Sequence, residues 1–558
     1  MSSIAIHLHS AVGRSSRKPF HKLPDALSCA LFRTAAALLL VLLSACSSEQ
    51  PSAVDESGAQ AEVENGYLNG TPGINWFEGD VDTAFTHAKA ERKPLFLYWG
   101  AEWCPYCKQV KATVFTRRDV IDRTRHFVAV ALDGDDPAAQ RAGEEFGVMG
   151  YPTMIIYSPD GEELTRIPNG LDLDAYAGVF DLAMDAVRPV AGSVAAVLAG
   201  DTLDDDEWRR LAVYSWGQDN ARALGERSVR ETFKVLSEAC PRHVASACTR
   251  LELSHLEAAI DEAGDTQLDT TTKTRALGVL NAMLADEQLI TANLDAVLHG
   301  GGAFVGAVTE PGSAMRTALV NRWESVALGL ADDARLSTVD QFYASYVPIE
   351  FLRMDDAEAG IPEATRVAIR ERVADALART ADPVERHPVV TTGASLLRAA
   401  DLPGEAATML EAELAASKQP YYLMSALAST AASEGDNATA LMWRKRAYET
   451  ASGESTRFRW GYGYVSEMLR LSPEAVDDIE TATAAIFTEF DDPATAFYGG
   501  THSRVAQLDE KLKAWADTPE KVEVLVRLRT RIDSVCARIP SGDKGRSRCD
   551  AFLAASSG

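Results

Sequence analysis

Between Lys93 and Val187 the spacing of hydrophobic positions changes several times. PLFLYWG, residues 94–100, is a continuous apolar run with aromatics, the pattern of a strand buried on both faces. Cys107, Val110 and Val114 then repeat at i, i+3 and i+7, which predicts a helix. FVAVALD, residues 127–133, predicts a second strand, and PAAQRAGEEFGV, from Pro137, a second helix. YPTMIIYSPDGEELTRI predicts a strand, an SPDG turn and a strand. DLDAYAGVFDLAMDAV closes the series with an amphipathic helix. The order βα, βα, ββα predicts a mixed sheet with helices on both faces.

From Ser193 onward the strand-like alternation stops for more than 350 residues. Helical stripes replace it, such as Trp208, Leu211, Ala212 and Trp216, with Asp204, Asp205 and Asp206 as cap candidates. AADLPGEAATMLEAELAA and AASEGDNATALMWRKRAYE align at an offset of about 33, close to the 34-residue tetratricopeptide period. Ala407 then meets Ala440, and Leu410 meets Trp443. Two readings stand for residues 385–475: tetratricopeptide-like hairpins, or an irregular helical bundle. The expected division is a mixed α/β domain at 76–190, a helical domain at 193–384, and a helical domain at 385–558 that is partly tetratricopeptide-like. Either helical reading offers a surface for a protein partner.

The length of 558 residues is consistent with this division. The net charge of −26 opposes binding to a phosphate backbone, so a nucleic-acid partner is not expected. HGGG, His299 to Gly302, has no G-x-S-x-G elbow to accompany it and reads as a helix-ending loop. DGDD, Asp133 to Asp136, lacks the rest of a calcium loop and reads as a solvated turn capping the next helix.

The N-terminus is a basic leader followed by AAALLLVLL, residues 35–43. That run is shorter than the about 20 residues a membrane span needs and fits a signal-peptide core. It ends in LSAC, Leu43 to Cys46, which resembles the lipobox of bacterial lipoproteins. The resemblance implies cleavage after residue 45, lipid on Cys46 and membrane attachment through that anchor. Ser47, in place of the aspartate that retains enteric lipoproteins at the inner membrane, points to the outer one. Residues 46–75, rich in Ser, Gly, Glu and Gln, read as a flexible tether.

With Cys29 in the leader and Cys46 lipidated, six of the eight cysteines remain, in three local pairs. An exported chain with such pairs suggests disulfides. In one straight helix Cys240 and Cys248 would lie about 12 Å apart, beyond the about 7 Å limit for a bridge. A Cys240–Cys248 bridge therefore requires a turn, for which Pro241 is suited. A Cys536–Cys549 bridge would span a Pro- and Gly-containing turn and tie the last helix to its neighbour. Both are expected to be structural.

Cys104 and Cys107 admit three chemistries. A zinc site needs further ligands at suitable spacing, and none is present; no metal or organic cofactor is expected. A c-type haem site needs a histidine where Lys108 stands. A redox dithiol needs a preceding strand and a following helix, which the pattern predicts. Pro105 suits the first turn of that helix and places Cys104 at its N-terminus, where free N–H groups and the dipole favour a thiolate. Cys104 is then the exposed nucleophile, and Cys107, about one turn in, the shielded resolving thiol.

Residues 93–187, through KPLFLYWGAEWCPYCK and GVMGYPTMIIY, resemble the thioredoxin fold family. The proline of the second motif stands 45 residues after Cys107. They are most similar to the thioredoxin-like domains of exported bacterial reductases, such as the periplasmic C-terminal domain of the transmembrane reductase of the disulfide pathway. The resemblance implies a redox disulfide Cys104–Cys107, a cis bond before Pro152, and substrate docking on Trp103, Tyr151 and Pro152, with Lys108 and Glu102 in support. It implies protein thiol and disulfide substrates, an electron-donor thiol protein, a periplasmic location, and exchange in the reducing direction ahead of the oxidising one.

Two departures leave that direction open. Tyr98 stands where thioredoxins bury an aspartate that assists proton transfer, and Glu102 or a water would have to replace it. Pro105–Tyr106 is the glutaredoxin dipeptide, and glutaredoxins lie at about −200 to −230 mV against about −270 mV for thioredoxin. The competing reading is a helical scaffold whose thioredoxin-like unit is a non-catalytic docking module.

Overall fold

The apolar run at 94–100 becomes one of the two inner strands of a four-stranded sheet. A computed structural model of the chain describes residues 73–168, 175–186, 188–219, 222–264, 266–490 and 496–554. The leader, Cys46 and nearly all of the expected tether lie outside the described residues. The elements in order are α1 (Val81–Glu91), β1 (Leu95–Gly100), α2 (Pro105–Thr113), α3 (Arg118–Thr124), β2 (Val128–Asp133), α4 (Pro137–Glu145), β3 (Thr153–Tyr157), β4 (Glu163–Ile167) and α5 (Ala175–Met184). The sheet order is β2-β1-β3-β4, with β1 and β2 parallel and the other pairs antiparallel.

Every residue of β1 is buried, because both faces of the sheet are covered. Phe96 and Tyr98 face α2, α3 and α5, where they meet Val110, Val114, Val120 and Phe180. Leu95, Leu97 and Trp99 face α1 and α4, meeting Ala84, Ala88 and Ala139. The predicted turn at Ser158 to Gly161 joins β3 to β4, and Gly161 takes the φ of +87° that a side chain would resist. Asp136 caps α4 by accepting from the Ala138 N–H at 2.8 Å, as the DGDD reading anticipates, but the turn is not solvated, since Gly134 is buried and Asp135 meets Thr456.

Helices alone make up the regular structure from Val190 to Ala551 among the described residues. Asp204 and Glu207 form a capping box at the start of Asp205–Val213, which buries Trp208, Leu211 and Ala212. His299 ends one helix and Gly301 opens the next, so HGGG is a helix-to-helix junction. The middle helices pack around Phe304, Trp323 and Phe351. In 385–475, Leu410 and Trp443 are both buried, but Ala406 rather than Ala407 fills the inner position beside Leu410, while Ala440 does so in the later helix. Among the described residues no helix is long and apolar enough to cross a membrane.

The last helices share one continuous core, and that core takes in Ala101, Trp103, Cys104 and Cys107. The two halves of the chain are also tied by polar contacts. Thr456 Oγ1 donates to the Asp135 carboxylate at 3.2 Å, and Gln218 Nε2 donates to the Pro152 carbonyl at 3.3 Å. Arg548 and Lys544 both bind Glu144 on α4.

Candidate active site

Cys104 is the N-cap of α2, with an extended backbone, and Pro105 occupies the first turn. Its Sγ accepts the Cys107 N–H at 3.1 Å, which satisfies one of the free donors of the helix start. Cys104 and Cys107 are joined as a disulfide with their Cα atoms 5.2 Å apart. The peptide bond between Tyr151 and Pro152 is cis. Trp103 meets the Tyr151 ring edge-on at a centroid distance of 5.0 Å. The Tyr151 hydroxyl donates to the Gly134 carbonyl at 3.1 Å and lies 3.1 Å from Gln140 Nε2. Gly134 is required there, since a Cβ would meet the Tyr151 ring at 2.2 Å.

One expectation fails. Cys104, predicted to be exposed, is 2% exposed, and Cys107 is 0% exposed. The cover comes from the helical region. Tyr422, on Pro420–Ser433, stacks on Trp103 at 6.4 Å. Arg459, on Glu454–Leu471, holds its guanidinium 5.3 Å from the Trp103 ring centre. Between the two halves remains a cleft of about 280 Å³ lined by Trp103, Cys104, Tyr151, Tyr422, Arg459 and Arg504, among others.

Lys108 does not line that cleft. It lines a second one of about 700 Å³ on the other side of α2, with Lys111, His387 and Lys418. Burial lowers its pKa against the raising effect of Glu102, and the Lys418 and Lys111 charges lower it further. Burial next to Lys108 likewise pushes His387 down to about 4. Glu102 is engaged by Lys111 at 2.8 Å, and no described hydrogen bond joins it to either cysteine. Tyr98, in the usual aspartate position, puts its hydroxyl 3.4 Å from the Cys107 carbonyl. Burial, then the charges of Glu102 and Asp133, push that phenol well above its ordinary range, so it stays neutral. Asp133, at the end of β2, is raised by burial against a hydrogen bond from the Asp135 N–H.

The other cysteines come together in pairs. Cys240 and Cys248 are bonded with Cα atoms 5.5 Å apart, because Val229–Ala239 ends before Cys240 and Ala245–Ala263 starts a new helix after Pro241. Cys536 and Cys549 are bonded across the turn between Pro519–Cys536 and Lys544–Ala551. Tyr422, Arg459 and Arg504 are the site residues that sequence reasoning missed. They lie more than 300 residues beyond Cys107, and no local motif marks them.

A family model described as a thioredoxin-like domain matches residues 81–183. Similar curated proteins include the thiol:disulfide interchange protein DsbD 1 of Pseudomonas aeruginosa, 28% identical over 97 residues, which is 17% of this chain and 16% of the relative. DsbD of Pseudoalteromonas atlantica is 26% identical over 102 residues, 18% of this chain and 17% of that protein. DsbD 2 of Pseudomonas aeruginosa is 30% identical over 86 residues, 15% of each chain. The chain thus spans about a sixth of the length of the curated relatives it matches. Strand order, the Cys104–Cys107 pair at a helix start, the cis bond before Pro152 and these matches agree: residues 81–183 of this chain are a thioredoxin-like domain.

Proposed function

We propose that this chain is a lipid-anchored thiol–disulfide oxidoreductase on the periplasmic face of a bacterial membrane, acting on exported proteins and working in the reducing direction. The observation that carries the reading is Cys104 at the start of α2, bonded to Cys107 and accepting its N–H. In the reduced protein the same N–H and the helix dipole stabilise a thiolate on Cys104. That thiolate attacks a substrate disulfide, forming a Cys104–substrate bond and releasing the other substrate sulfur as a thiolate, which takes a proton from solvent. Cys107 then gives up its proton to water, and its thiolate attacks Cys104 Sγ, closes the 104–107 disulfide and releases the second substrate thiolate, which takes up a proton in turn. A thiol protein returns the two electrons. Trp103, Tyr151 and Pro152 shape the docking surface, and Lys108 and Glu102 act only through the local field. The leader pattern and LSAC support the anchor on Cys46, and Ser47 supports the outer membrane. Cys240–Cys248 and Cys536–Cys549 serve as staples in the helical domains.

The test is a Cys107→Ser variant, in which the mixed disulfide on Cys104 is not resolved. Accumulation of Cys104-linked proteins in cells is expected, and their absence would sink the enzymatic reading. The near-complete burial of Cys104 favours a second reading, a static disulfide in a partner-binding scaffold. Redox titration separates the two. A 104–107 bond below about −300 mV that no thiol protein reduces is the result the scaffold requires.

A further inference from the structure

The cleft over Cys104 carries a charge pattern at odds with the chain as a whole. The protein has a net charge of −26, yet two guanidiniums, Arg459 and Arg504, line this one cleft. Neither forms an ion pair with a carboxylate among the described residues. Arg504 donates to the Gly500 carbonyl at 3.1 Å, and Arg459 rests on the rings of Trp103 and Trp460 at 5.3 and 5.7 Å. Burial, then the charge of Arg459, lower Arg504 to about 10. Of the acids around it, Asp135 accepts a hydrogen bond from Thr456, and Glu144 is paired with Arg548.

Two buried donors on residues of the cleft lining lack a partner among the described residues. Trp103 Nε1 and Ser455 Oγ are buried without a hydrogen bond, and both residues line it. The two residues are 7% and 8% exposed. Leaving buried donors unmet is costly, and placing like charges together without a counter-ion is costly too. An anion in the cleft would give the two guanidiniums their counter-charge. At about 280 Å³ the cleft is at the small end for a ligand site, too narrow for a folded surface. Its lining continues to Tyr106 and Met149, which are 49% and 53% exposed and offer apolar contact to a chain running outward.

We infer that the segment presented to Cys104 is an extended stretch of a protein partner with carboxylates next to its reacting cysteine, and that Arg459 and Arg504 take up a carboxylate. This rests on the oxidoreductase reading above. The carboxylate gains and loses no electrons; it holds the substrate sulfur in line with Cys104 Sγ while the disulfide exchange proceeds as written there.

The test compares exchange rates of the full chain with two end-blocked peptide disulfides of equal length, one with Glu on both sides of the cysteine and one with Gln. The acidic peptide is expected to react about tenfold faster, the size of one charge-assisted hydrogen bond. The preference should shrink as salt is raised. In the Arg459→Gln/Arg504→Gln variant it should fall to about one, with the Gln peptide still reacting. Equal rates for both peptides in the unaltered protein would overturn the proposal and leave the oxidoreductase reading intact. The same holds for a preference that survives salt and the double variant. No exchange with either peptide, while a small dithiol still reduces the 104–107 bond, would overturn both. An equal gain with dithiodiglycolate, a minimal dicarboxylate disulfide, would overturn the commitment to a protein segment.

Discussion

Glu144 on α4 accepts two hydrogen bonds from Arg548, 404 residues further along the chain, at 2.5 and 3.0 Å. Lys544 binds the same carboxylate. Burial would raise the pKa of Glu144, but these two partners outweigh it and hold the carboxyl down to about 2, from an ordinary 4.5. A depressed carboxyl stabilises the fold above its unfolded pKa and loses that contribution as pH falls through the folded one. The contribution is therefore complete above about pH 4.5 and fades toward pH 2, and is worth about 2–3 kcal/mol with the partly exposed pair discounted. Denaturant midpoints of the unaltered protein and Glu144→Gln should differ at pH 6 and converge near pH 2. A gap that does not change with pH would refute the assignment.

Gly134→Ala places a methyl group against the Tyr151 ring, which packs on Trp103. The ring must move, and the docking face moves with it. Disulfide exchange is expected to drop about tenfold or more, since small misplacements at a reacting centre are costly. The cysteines are untouched, so alkylation of the reduced 104–107 pair should still report two thiols. Unchanged exchange kinetics would show that the Tyr151 position is not needed.

Tyr98→Phe removes a hydroxyl whose one described contact is the 3.4 Å approach to the Cys107 carbonyl. The expected cost is about 1 kcal/mol or less. Because burial keeps this phenol protonated, it takes no proton from Cys107, and the pH profile of exchange should keep its shape. A shifted profile in the variant would give Tyr98 a part in proton transfer.

Replacing Cys240 and Cys248 together by Ala opens a loop of eight residues in sequence separation. Chain-entropy arguments put the loss at about 2.5 kcal/mol, and at about 3 kcal/mol for the 13-residue separation of Cys536 and Cys549. Thermal unfolding should register both, with the 104–107 exchange rate retained in the first. No loss of stability in either variant would remove the staple reading.

Local pattern carried much of this protein. The period of the apolar residues placed β1 and β2, the SPDG turn placed β3 and β4, and Pro105 after Cys104 set the start of α2, because each depends on neighbours within a few residues. The helical character after Ser193 was equally legible in the stripe Trp208, Leu211 and Ala212, although Trp216, read on the same stripe, opens the next helix after a break at Tyr214. The reach of a helix showed that a Cys240–Cys248 bridge requires a turn, with Pro241 suited to it, and the structure supplies both the turn and the bridge.

Tertiary structure decided what surrounds the sulfurs. Nothing near Cys104 announces that Tyr422 and Arg459 will lie over Trp103, or that Arg504 will join them, since such contacts form only when helices distant in sequence pack into one core. The same packing turned an expected exposed nucleophile into one that is 2% exposed. It also settled Lys108 and Glu102, which stand beside the cysteines in sequence but face a second cleft and Lys111. Sequence by itself determined the dithiol and its helix, because capping and strand burial are short-range. The walls and charge of the cleft were left to the fold, because they are assembled from side chains more than 300 residues apart.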